Sequence, residues 1–113
     1  MDSETFENIW DVLKEAAKIG DGLKMEEAYE GLQSGLFRLW VYGGSAALTA
    51  EEGSTLRIGL AAGDMGDMFV IEERIINYAR DNGFTSVEIV GRPGWERVLT
   101  GYDRVAVVLR KTI

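Results

Sequence analysis

Apolar residues recur at helical spacing at Phe6, Ile9, Trp10, Leu13, Ala16 and Ala17, which predicts an amphipathic first helix. Asp2 or Ser3 is placed to cap it, with Glu4 and Glu7 near its positive end. Gly20 and Gly22 stop it. Met25, Ala28, Tyr29 and Leu32 then share one face of a short second helix that Gly35 ends. From Phe37 the period changes. Phe37–Tyr42 is rich in aromatic and β-branched residues and predicts a strand. Gly43-Gly44 signals a hairpin turn, 46–50 the return strand, Glu51-Glu52-Gly53 a second turn and Thr55–Ala62 a third strand. Three strands joined by tight turns form an antiparallel meander.

The stretch Gly63-Asp64-Met65-Gly66-Asp67 breaks that strand and opens the longest helix, which Asn82-Gly83 closes. Residues 84–90 predict a buried strand. Gly91-Arg92-Pro93-Gly94 leads into a short helix at 95–100, with Pro93 suited to its first turn. Residues 104–109 predict one last strand, apolar on both faces and therefore inside a sheet. The expected order is α-α-β-β-β-α-β-α-β. That is an α/β (α+β) chain with a mixed central sheet, forming a single domain over residues 1–113.

The bulk properties narrow the chemistry. A chain of 113 residues with 46% hydrophobic and 27% charged residues has the size and composition to bury a core. It has no Cys and no His. Thiolate chemistry is excluded, and so are the commonest general base and transition-metal ligand. No apolar run approaches a membrane span, and the acidic N-terminus does not resemble a secretion signal, so the expected location is soluble, with no membrane partner. The net charge of -7 lies in the first half: residues 1–56 hold 4 Lys and Arg against 11 Asp and Glu, and residues 57–113 hold 8 of each. That face repels nucleic acid, which is not an expected partner.

The element order, together with several short stretches, resembles the core of the GNAT superfamily of N-acetyltransferases. The stretches are Leu39-Trp40-Val41, Ala62-Gly63-Asp64, Tyr78-Ala79-Arg80 with Gly83, Gly91-Arg92 with Gly94-Trp95, Gly101-Tyr102 and the closing strand through Leu109, Arg110 and Lys111. The resemblance is closest to small GNAT-like proteins encoded by tailed bacteriophages. It covers nearly the whole chain in reduced form, without the family's first strand and with one closing strand where the family has two. It implies a viral protein in the virion or the host cytoplasm. Its partners would be phage structural proteins or copies of itself.

The resemblance also implies where acetyl-CoA would bind: at the step from the third strand to the long helix, through Gly63, Asp64, Gly66 and Asp67. The family pattern there is Arg or Gln, two residues, Gly, one residue, then Gly or Ala. With Gly63 as the first Gly, the basic position is Leu60 and the second small position Met65. With Gly66, they are Gly63 and Met68. Neither register fits, and Asp64 and Asp67 stand where the diphosphate belongs. Both aspartates suit helix capping better than anion or metal binding. The family's acid, a Tyr on the last helix, aligns with Arg97, leaving Tyr102 as the nearest substitute. The third strand carries no carboxylate to act as base.

Three residues stand out beyond that site. Glu72 falls inside the apolar arc of Met65, Met68, Ile71, Ile75, Ile76 and Ala79. It is either a buried functional carboxylate or the partner of Arg57, Arg104 or another chain. Arg92, just before a helix start, suits an anion, or a pair with Glu88 or Glu96. Trp95 joins Trp10 and Trp40 as core, or serves as an exposed anchor. From Arg92 onward there are five basic residues and two acidic ones, so the two ends of the chain suit a head-to-tail contact. The expected function is non-catalytic protein-protein interaction with no cofactor. The alternative is a divergent acetyl-CoA-dependent N-acetyltransferase using Tyr102 and Glu72.

Overall fold

A computed structural model describes residues 2–19, 23–90, 103–105 and 108–113. In chain order the elements are α1 (Ser3–Ile19), α2 (Met25–Ser34), β1 (Phe37–Tyr42), β2 (Ser45–Glu52), β3 (Thr55–Ala62), α3 (Met65–Asp81), β4 (Ser86–Val90), β5 (Asp103–Val105) and β6 (Val108–Thr112). The class is α+β.

Local chemistry sets the helix ends. Asp2 Oδ1 accepts the Thr5 N–H at 2.7 Å, so Asp2 is the cap of α1. Gly35 ends α2 in the left-handed region at φ 85, with its N–H on the Leu32 carbonyl. At the end of α3, the Asn82 N–H reaches the carbonyls of Tyr78 and Ala79.

The six strands form one sheet in the order β1-β2-β3-β4-β6-β5. All neighbours are antiparallel except β3 and β4, which run parallel with α3 as their connection. On one face, α3 buries Met68, Ile71, Ile75, Ile76 and Ala79 against Ala47, Leu56, Ile58, Val87 and Ile89. Each buried Ile or Met there contributes about 1.5–3 kcal/mol. On the other face, Phe6 and Leu13 of α1 and Ala28 of α2 cover Ala46, Leu48 and Leu60.

A bulge lets β3 serve both faces. Leu48 pairs with Leu60 and Thr49 with Ile58, so Gly59 has no partner on β2. The extra residue reverses the alternation. Leu56 and Ile58 point toward α3, Leu60 toward α1, and Ala61 toward α3 again.

Three sequence expectations are corrected. Strand β2 runs on through Glu51 and Glu52, so the turn to β3 lies at Gly53-Ser54. Strand β4 begins at Ser86, because the Phe84 N–H still bonds Ala79 of α3 and the Thr85 N–H bonds the Ser54 carbonyl. The expected single strand at 104–109 is instead two strands, β5 and β6, paired antiparallel with Val105 opposite Val108. The inner place in the sheet belongs to β6, while β5 is the edge. The helix expected at 95–100 lies outside the described residues. Among the described residues, no helix is long and apolar enough to cross a membrane.

Candidate site at the N-terminus of helix α3

Four segments meet where β3 passes into α3: the Gly43-Gly44 turn, Ser45 at the start of β2, Gly63 at the end of β3, and the first turn of the helix. Asp64 is the N-cap. Its Oδ1 accepts the N–H groups of Gly66 at 2.8 Å and Asp67 at 3.3 Å. Ser45 is 1% exposed and ties the turn together. Its hydroxyl accepts the Asp64 N–H at 2.8 Å and donates to Asp67 Oδ2 at 2.9 Å.

Two of the nearby glycines, Gly63 and Gly43, are needed for this closure. Gly63 sits at φ 131, and a Cβ there would overlap the Ser45 side chain. A Cβ on Gly43, at φ 59, would run into the Asp67 carboxylate.

A helix N-terminus attracts anions through free N–H groups and the positive end of its dipole. Here the chain supplies its own anion. The Gly66 and Asp67 amides already bond a carboxylate, and a second carboxylate lies one hydrogen bond away through Ser45. An incoming phosphate would face repulsion of about 1 kcal/mol per carboxylate at 4 Å in water, and several times that where solvent is excluded. Among the described residues, no three Asp or Glu side chains converge to hold a metal ion.

The other candidates do not join this cluster. Glu72 lies farther along α3 and pairs with Lys111 of β6 at 3.7 Å. Its Oε2 is buried and accepts no hydrogen bond. The residue also lines a cavity of about 10 Å³ with Met68, Ile71 and Ile89, close to the space one water needs. Of the partners expected for Glu72, Arg57 is engaged elsewhere, and the side chain of Arg104 lies outside the described residues. Arg57 bonds Glu52 at 2.9 Å and Glu88 at 3.2 Å. The Glu88 contact follows from the sheet, since Arg57 pairs with Glu88 across β3 and β4. Glu88 is 3% exposed and pairs with Arg57, while the pairing with Arg92 that the sequence also allowed falls outside the described residues. Arg92, Trp95 and Tyr102 lie outside the described residues.

Ser45 is the residue that sequence reasoning misses. It stands 19 positions from Asp64 and 22 from Asp67 in the chain, and a lone serine after a glycine turn carries no signal of either contact. Trp40 and Trp10 are half-buried. Trp40 donates from Nε1 to Thr49 Oγ1 at 2.9 Å and packs on the α3 side, while Trp10 packs with Phe6 on the α1 side.

No protein-family model matches this chain, and no curated protein matches it.

Proposed function

We propose that this chain is a non-catalytic GNAT-like protein of bacteriophage type, acting through protein-protein contacts in the virion or during its assembly in the host cytoplasm. The carrying observation is the Asp64–Ser45–Asp67 network, which fills the helix N-terminus where an acyl-CoA enzyme of that fold takes its diphosphate. The GNAT-like assignment is supported by the three-strand meander, the long helix after it and the parallel placement of β4 beside β3. The phage setting rests on the resemblance of the quoted sequence stretches.

One observation favours the alternative of a divergent N-acetyltransferase. The pairing of β3 with β4 stops at Ile58 and Ile89, and β3 continues past its bulge to Ala62 without a β4 partner among the described residues. A cleft between these strands is where the enzyme reading needs one. Calorimetric titration with acetyl-CoA separates the two. The non-catalytic reading predicts no saturable heat. A micromolar dissociation constant would reverse it and make Tyr102 and Glu72 the acid and base to test.

A further inference from the structure

Strand β1 is an edge of the sheet, and among the described residues nothing pairs with its outer side. Tyr42 and Ser45 close the two-residue Gly43-Gly44 turn, so they form a hydrogen-bonded pair. Alternation then turns the backbone groups of Tyr42, Trp40 and Arg38 toward β2, and the Arg38 carbonyl accepts from Thr49 Oγ1 there. The N–H and C=O groups of Phe37, Leu39 and Val41 point outward.

Natural edges are blunted with proline, bulges or several charges. Strand β1 has no proline, an unbroken register with β2, and Arg38 as its single charge. Its two ends also differ. At the far end Val41 is 46% and Tyr42 39% exposed. At the near end lies a groove of about 260 Å³ lined by Leu32, Leu36, Arg38, Glu51 and Tyr78, with Leu36 61% exposed.

We propose that β1 pairs antiparallel with β1 of a second copy, about a two-fold axis through Leu39. This extends the interaction role above by naming one partner, and it rests on that role only for its biological use. An antiparallel two-fold brings the apolar end of each strand to the groove end of the other. With Leu39 opposite the partner's Leu39, Phe37 faces the partner's Val41, and every outward backbone group of the strand finds a bond. On the α3 face, Arg38 comes opposite the partner's Trp40 and Leu36 opposite the partner's Tyr42, so exposed apolar surface at both ends is covered. A copy with net charge -7 gains nothing from charge in meeting another. The contact therefore depends on backbone bonds and apolar burial, and salt, which screens the repulsion, strengthens it.

Sedimentation equilibrium of the full chain from about 1 to about 100 µM, at low and high salt, tests the pairing. The expected result is a monomer-dimer equilibrium that persists or tightens in high salt. Val41→Lys should weaken it at least tenfold without changing the circular dichroism spectrum. Should that variant misfold, amide exchange on the wild-type protein reports the same contact: Phe37, Leu39 and Val41 should gain protection as concentration rises. A monomer throughout the range overturns the pairing, as does a dimer lost in high salt or one in which those amides stay unprotected. None of these readouts depends on the acetyl-CoA titration, so either proposal can fail alone.

Discussion

Replacing Ser45 with Ala tests how firmly the α3 N-terminus is closed. The hydroxyl accepts the Asp64 N–H and donates to Asp67 Oδ2 from a site that is 1% exposed. A buried N–H left without an acceptor costs about 1–3 kcal/mol, and a hydrogen bond to a charged group contributes about 1.5–3 kcal/mol. Asp64 is exposed and Asp67 half-buried, so water recovers part of both losses. The expected destabilisation is about 2 kcal/mol, which lowers Tm by about 8 °C in a domain of this size. Urea unfolding followed by tryptophan fluorescence measures it, with exposed Ser54→Ala as a control expected to stay within about 0.5 kcal/mol. The double variant with Asp67→Asn should lose less than the sum of the two single losses, because both remove the same bond. A loss for Ser45→Ala no larger than the control's, or full additivity, would refute the network.

Three other outcomes follow from the same contacts. Gly63→Ala should cost about 2 kcal/mol or more in urea unfolding, since φ 131 is strained for any side chain and the new Cβ meets Ser45. Glu88→Ala should cost about 2 kcal/mol by the same assay: the carboxylate is 3% exposed, while Arg57, partly exposed and still paired with Glu52, limits the penalty. The Thr5 N–H bond holds the Asp2 carboxyl below the usual aspartate range. A lowered folded-state pKa gives a contribution present above the unfolded pKa and lost as pH falls through the folded one. Exchange of the Thr5 amide should therefore accelerate only at strongly acidic pH, and Asp2→Ala should remove that protection at neutral pH.

Elements with strong local signals were legible in the sequence. The meander was, because Gly43-Gly44 and Gly53 mark its turns, and so was α3, because its apolar face and Asn82-Gly83 define it. The reversal between β5 and β6 was not. Residues 104–109 contain no Gly, Pro, Asn or Asp, and the unbroken apolar run at 105–109 reads as one strand although Val105 belongs to β5 and Val108 and Leu109 to β6. Gly59 did carry a signal, an isolated glycine inside a strand, but only pairing with β2 reveals which residues it redirects. At the candidate site, Asp64 as a cap was readable from position alone. Its bridge to Asp67 through Ser45 depends on β2 lying beside the end of β3, which no local pattern encodes.

The α3 N-terminus is filled by the chain's own carboxylates, Asp64 and Asp67. The backbone amides of Gly66 and Asp67 report on it directly in an NMR titration with acetyl-CoA and, separately, with inorganic diphosphate. Neither ligand should move these two resonances saturably. Saturable shifts at Gly66 and Asp67 with either one would contradict it.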